Sequence, residues 1–401
     1  MLGPLHRKGL APMNAGQTVF SQLVDYLPTH EFRQCVRRYA GHRRIHTFSC
    51  WDQFLCMAFA QLTFRESPRD IVTCLRSMGT KLYHAGIRGR VARSTLADAN
   101  ETRDWRIYAD FAGVLIRLAR PLYRKDGFGV ALDQTAYAFD STTVDLCLSL
   151  FPWAQFRRHK SAVKLHTLID LRGNIPCFVH VSSGRMADVT AVDRLPIEAG
   201  AFYVMDRGYT DFRRLHRFTA GLACFVIRAK RDLDFARRAY QPVDRAAGLR
   251  SDQTIVLCGP KTSGLYPEPL RRISYYAADL DRRFVFLTNN FSLPALTITQ
   301  LYKCRWQVEL FFKWIKHYLR IKAFYGTSLN AVRTQVWIAL SVYVLVAIVR
   351  KRLGIDRHLG EILPILSIGL FEKTPILQVF SQSLPQAGNG HDRNQLSLFD
   401  F

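Results

Sequence analysis

Four hundred and one residues, 48% of them apolar, hold material for about two or three packed domains and exclude a disordered chain. Lys and Arg number 56 against 32 Asp and Glu, a net charge of +24, so a polyanion is the first partner to consider. The nine Cys contain no Cys-x-x-Cys pair and fit neither a disulfide framework nor a zinc module, which predicts buried thiols in a reducing compartment.

The first residues are basic but lack the apolar core of a secretory signal, and residues 1–12 read as an extension ahead of Met13. From about 17 to 125 the punctuation is helical. Ser49-Cys50-Trp51-Asp52 is a capping box that opens a helix over 50–62, and Ser67-Pro68-Arg69-Asp70 opens another through about Met78. A further helix is expected from Ser94 or Thr95 toward Tyr108. Arg33, Arg37, Arg38, Arg43 and Arg44 crowd one stretch with Glu31 as the nearby acid, either a solvated basic face or, as the net charge favours, a phosphate-contacting one.

After Gly127 the pattern changes to strands. Residues 136–140 form a short apolar run ending in Asp140. Val163, Leu165, Thr167 and Ile169 then alternate with polar positions until Arg172-Gly173-Asn174 turns the chain into 175–181, a β-meander. Lys164 and His166 fall on the polar face of that pattern. A helical stretch near 188–195 leads to an apolar strand over 201–205 that runs into Asp206, and 223–229 is a further strand-like run carrying Arg228 ahead of Lys230. This mixture reads as α/β. Between 231 and 298, short runs at 254–257, 273–277 and 284–288 predict a β-rich insertion, after which Thr297 caps a long helix over 300–319. The run 336–349, apolar but for Ser341, is shorter than the roughly 18–20 residues that cross a bilayer and predicts a buried helix, which extends over 331–353. The divisions are a helical domain at 14–125, an α/β core at 128–230 resumed at 299–380 with the C-terminal helices, the insertion at 231–298, and a flexible tail at 381–401.

Helix 300–319 carries the densest chemistry. At about 100° per residue, Tyr302, Arg305, Glu309 and Lys316 fall within an arc of about 60°. An exposed face with an Arg305–Glu309 pair is the plainer reading, but Trp306, Leu310 and Trp314 flank the stripe and leave little ordinary solvent face. Asp140 and Asp206 end apolar strands, where open α/β sheets place their sites. Asp133 and Asp145 bracket Asp140, yet neither stands before a Ser-Thr pair as Asp140 does. Three carboxylates brought together repel one another unless cations sit between them, and two hard divalent ions about 3.5–4 Å apart would activate water for phosphodiester cleavage.

Tyr302-x2-Arg305-x3-Glu309-x6-Lys316 matches the Y-(2)-R-(3)-E-(6)-K signature of the DDE transposases of insertion sequence family 4, which the chain resembles over about 14–380. Asp206-Arg207-Gly208-Tyr209 is similar to that family's second acidic motif and Phe139-Asp140-Ser141-Thr142 to its first. The resemblance implies an RNase H-like catalytic core with a β-rich insertion, preceded by a helical N-terminal DNA-binding domain that carries Arg33, Arg37 and Arg38. It implies two Mg²⁺ ions, with Mn²⁺ as a substitute, held by Asp140, Asp206 and Glu309. Tyr302, Arg305 and Lys316 would grip DNA phosphates, and Arg207 and Tyr209 would line the same site. The implied activity is cut-and-paste transposition in a bacterial cytoplasm, at the nucleoid: recognition of terminal inverted repeats, cleavage, and strand transfer to target DNA by a homodimer that pairs the two ends. The rival readings are a non-catalytic DNA-binding descendant and a standalone nuclease. Family members that form a hairpin can stack a flipped base on a Trp in the insertion; here 231–298 holds no Trp, leaving Tyr240, Tyr266, Tyr275 and Tyr276 as aromatic faces. The C-terminal Gln395-Leu396-Ser397-Leu398-Phe399 resembles the bacterial sliding-clamp binding motif, with Gln395, Leu396, Leu398 and Phe399 as its contacts.

Overall fold

The computed structural model describes residues 16–381 apart from 44, 46, 80, 88, 159 and 319–323. These residues fall into two compact units, one made of the chain up to 115 and from 317, the other of 116–316.

The first unit is helical. Its N-terminal part holds α1 (Val19–Val24), α2 (Thr29–Arg38), α3 (Cys50–Leu62), α4 (Pro68–Ser77), the single turn α5 (Lys81–His84), α6 (Arg93–Thr102) and the start of α7 (Arg106–Tyr123). The capping box at Ser49 forms as the sequence predicts: the Asp52 N–H donates to Ser49 Oγ at 3.0 Å, and the Ser49 N–H to Asp52 Oδ2 at 2.7 Å. The helix expected from Ser94 toward Tyr108 is instead two. Arg103 turns its guanidinium onto the Ser49 carbonyl at 2.7 Å, and Asp104 accepts the Arg106 N–H at 2.9 Å, which starts α7 afresh. Phe32, Phe54 and Phe111 pack edge to face in the core.

The long apolar helix near the C-terminus completes this unit, packing on α3 and α6. Numbered after the elements of the second unit, it becomes α11 (Leu329–Leu353), and α12 (Leu359–Gly369) and α13 (Ile376–Ser381) follow it. At 25 residues α11 is two residues longer than the helix expected over 331–353. It is long and apolar enough to cross a membrane by length and composition, and 89% of its most apolar window is buried within the fold.

The second unit is built on one ten-stranded sheet. In chain order it contains β1 (Ala136–Leu146), β2 (Gln155–Arg157), β3 (Lys160–Asp170), β4 (Ile175–Ser183), β5 (Phe202–Met205), α8 (Phe212–Ala220), β6 (Cys224–Arg228), β7 (Phe235–Gln241), β8 (Leu249–Leu257), β9 (Leu270–Ala277), β10 (Arg282–Thr288), α9 (Ala295–Lys303) and α10 (Trp306–Tyr318). Strands β1, β3 and β4 form the antiparallel meander, β5 and β6 add parallel to β1, and β10, β9, β8 and β7 continue antiparallel from β6. This is an α/β fold. The strands of 231–298 extend the same sheet through the β6–β10 pairing rather than forming one of their own.

Side-chain alternation assigns the two faces. Tyr137, Phe139, Tyr203, Met205, Phe225 and Ile227 pack into one cluster with Leu215 and Phe218 of α8. The alternate positions, Ala138, Val204 and Val226, therefore point to the other face.

Several expectations change. Lys164 and His166 are not a solvated face: His166 is fully buried, its Nε2 lies 2.9 Å from Ser182 Oγ, and burial pulls its pKa down to about 4. Lys164 pairs with Asp188 at 3.1 Å. All nine thiols are free, but Cys147 and Cys258 are exposed rather than buried.

Candidate active site

Register places the acids. The parallel pairs Phe139↔Met205 and Met205↔Ile227 put the next residues, Asp140, Asp206 and Arg228, in one row across β1, β5 and β6. All three lie on the face opposite the α8 cluster, because each follows an inward-facing residue of that cluster. Asp140 is not at a strand end as its apolar run suggests: β1 continues to Leu146, paired along its length with β3. It marks the point where the parallel pairing to β5 stops.

Glu309 arrives from a helix. The helix expected over 300–319 is broken at Cys304 and Arg305, so Tyr302 ends its role in α9, Glu309 lies in the first turn of α10, and Arg305 stands between them. Arg305 reaches both sides: its Nη1 donates to Asp140 Oδ2 at 2.8 Å and its Nη2 to Glu309 Oε1 at 2.6 Å. The Tyr302 hydroxyl donates to Asp206 Oδ1 at 3.0 Å. Asp140 Oδ1 accepts the Ser141 N–H at 2.8 Å and the Tyr209 hydroxyl at 3.3 Å.

Electrostatics follow from this crowding. Burial pushes the Asp140 carboxyl up to about 6; Arg305 and the Ser141 N–H oppose the shift, while Glu309 and Asp206 add to it. Burial raises the Tyr302 and Tyr209 hydroxyls well above the phenol range, reinforced by Asp206 and Asp140 respectively, so both remain donors. Burial lowers Arg228, and the neighbouring Arg207 and Arg282 lower it further.

Beside the acids opens a cavity of about 280 Å³ lined by Asp206, Glu309, Arg228, Arg282, Lys303 and Trp306 among others. The guanidinium carbons of Arg228 and Arg282 lie 5.2 and 5.8 Å from the centre of the Phe284 ring. Arg228 is legible in the sequence as a strand-closing cation, whereas Arg282, Lys303 and the wall they form are not. The β6–β10 pairing brings Arg228 beside the strand that carries Arg282, and no spacing rule encodes it.

The remaining predicted residues are placed as follows. Arg207 is exposed in the short turn that opens at Asp206, and Lys316 lies two turns beyond Glu309 on α10, half-buried. Arg33 and Arg37 are exposed on α2, whereas Arg38 pairs with Asp110. Of the tyrosines considered for base stacking, Tyr266 is 1% exposed and is excluded; Tyr240 is exposed, and Tyr275 lines the cavity. Gln395, Leu396, Leu398 and Phe399 lie outside the described residues.

The donor set suits a divalent metal, since three carboxylates supply hard oxygen ligands. As the side chains stand, among the described residues no three His, Cys, Asp or Glu converge on one ion position, and two of the acids hold the Arg305 guanidinium instead.

Comparison with known proteins identifies the family. A family model described as a transposase DDE domain matches residues 131–345, and one described as a domain of unknown function (DUF4372) matches 15–88. A protein of Sinorhizobium fredii named as a transposase, y4zB, is 30% identical over 75% of this chain and 83% of its own length. One of Geobacillus stearothermophilus, named as the transposase of insertion sequence element IS5377, is 32% identical over 51% of this chain and 54% of its own. Among solved structures, the piggyBac transposase in a synaptic complex with hairpin DNA is similar with a TM-score of 0.42 at 9% identity, over 92% of this chain and 81% of that one. The chain belongs to the DDE transposase-domain family, enzymes that act on DNA.

Proposed function

We propose that the protein cleaves DNA at the ends of an insertion sequence and joins the freed 3′ ends to target DNA, using divalent ions held by Asp140, Asp206 and Glu309. The observation that carries this reading is the strand register, which sets Asp140 and Asp206 level on adjacent parallel strands, with Glu309 tied to Asp140 through Arg305. Mg²⁺ suits these oxygens, with Mn²⁺ as a substitute; when bound, such an ion supplies an activated water and neutralises charge on the leaving oxygen. The protein's own groups do the positioning. Tyr209 and the Ser141 N–H orient Asp140, and Tyr302 orients Asp206. Arg305, Lys316 and Arg207 hold phosphates of the strand being cut.

In the same reading the helical unit recognises terminal inverted repeats through Arg33 and Arg37 of α2, two copies of the chain pair the two ends, and Gln395, Leu396, Leu398 and Phe399 attach the chain to a bacterial sliding clamp. A non-catalytic DNA binder would not need two acids level on adjacent strands and a third beside a cationic wall.

The test replaces one acid at a time by its amide. Asp140→Asn, Asp206→Asn and Glu309→Gln keep shape and remove a ligand charge. Each is expected to lower cleavage of duplexes from the element's ends by about a thousandfold or more, while fluorescence anisotropy shows duplex binding retained. Full cleavage by any one variant removes that residue from the site.

A further inference from the structure

The oxygens that a divalent ion would use are already in contact with a cation of the chain itself. Arg305 spans Asp140 Oδ2 and Glu309 Oε1, and its side chain is 18% exposed. A guanidinium stays charged at any physiological pH, so no proton loss clears it away. An ion entering between the same carboxylates meets both occupied oxygens and a fixed like charge, which the partly buried setting screens poorly.

Two further features bear on its release. Arg305 sits in the break between α9 and α10, outside both helices. Its Nε is buried without a hydrogen-bond partner. The two carboxylates thus leave one donor of the fork unsatisfied, and a phosphate, which accepts from Nε and Nη together, would satisfy it. Arg228, Arg282 and Lys303 line the adjoining cavity and draw a phosphate to the same place.

We propose that Arg305 is a built-in counter-ion that obstructs divalent-ion binding until a DNA phosphate takes over its guanidinium, so that metal and DNA load cooperatively. The proposal rests on the reading of Asp140, Asp206 and Glu309 as metal ligands. Linkage makes the coupling reciprocal: whatever DNA adds to metal affinity, metal adds to DNA affinity.

The experiment measures Mn²⁺ binding to the full chain by the electron paramagnetic resonance signal of free Mn²⁺, with and without a duplex oligonucleotide from the DNA flanking the coding region, and with a duplex-only blank. Without DNA, Arg305→Gln is expected to bind Mn²⁺ about tenfold more tightly than the wild type. The duplex should tighten the wild type by a similar factor and leave Arg305→Gln nearly unchanged. Both shifts are required. Equal or weaker binding by the variant without DNA, or a wild type unmoved by the duplex, overturns the proposal. Should Arg305→Gln fail to fold by circular dichroism, Arg305→Met takes its place, with the same two shifts required. The double variant Asp140→Asn with Glu309→Gln separates this outcome from the parent reading. If it keeps wild-type Mn²⁺ binding, the metal-ligand assignment fails; if it loses Mn²⁺ while Arg305→Gln matches the wild type, only the counter-ion role fails.

Discussion

Gly173 shows how much a single position can fix. It lies in the turn between β3 and β4 with φ of +77°, followed by Asn174 at +55°. A Cβ built there would stand 2.3 Å from Cδ1 of the Tyr123 ring. Backbone strain and overlap act together, so Gly173→Ala is expected to lower the unfolding free energy by about 2–4 kcal/mol. Urea unfolding followed by circular dichroism checks this; a loss below that of Asn174→Ala would show that Tyr123 moves aside freely. The Arg172-Gly173-Asn174 turn is visible in the sequence, because Gly and Asn are the residues that accept positive φ. The overlying Tyr123 is not, since it arrives from a helix fifty residues earlier. The acids divide in the same way. Asp140, Asp206 and Glu309 can be read from an apolar run ending in an acid and from helical spacing, whereas the contact of Arg305 with two of them depends on where β1 and α10 meet.

At the scale of elements, α9 owes its placement to a buried ion pair on the strands behind it. Arg271 of β9 donates to Asp252 of β8 at 2.9 and 2.7 Å, and its Nη1 donates to the Leu293 carbonyl at 2.6 Å, just before Pro294 starts α9. Both side chains are more than nine-tenths buried. Arg271→Met alone strands a buried carboxylate and is expected to cost about 3–5 kcal/mol, while adding Asp252→Leu should recover part of that loss. Additive losses in urea unfolding would show that the pair is not coupled. Elements with a periodic apolar face, such as α3, α4 and the meander, were legible in the sequence. The break at Cys304 and Arg305 was not, because the apolar pattern keeps its phase across it. Strand β7 was also invisible. Phe-Ala-Arg-Arg-Ala-Tyr-Gln has no alternation because its outer positions face solvent, and it is a strand by virtue of its ladder with β8.

For the whole molecule, the net charge of +24 makes salt the natural probe of the proposed DNA contact. Each cation that neutralises a phosphate adds about 0.9 to the slope of log affinity against log salt. Arg33 and Arg37 of α2 are exposed and have no ion-pair partner among the described residues, whereas Arg38 donates to Asp110 on α7. A side chain already held by a carboxylate has to leave it before it meets a phosphate, so the three arginines of one stretch are not equivalent. Arg33→Ala and Arg37→Ala are each expected to lower the slope by about one, and Arg38→Ala by clearly less. Anisotropy titrations of a labelled end duplex at several KCl concentrations give the slopes. Three equal reductions would show that Asp110 does not hold Arg38 against DNA. An unchanged slope in all three would remove α2 from the DNA face and leave the charge to act through the second unit, whose arginines line the cavity beside Asp206.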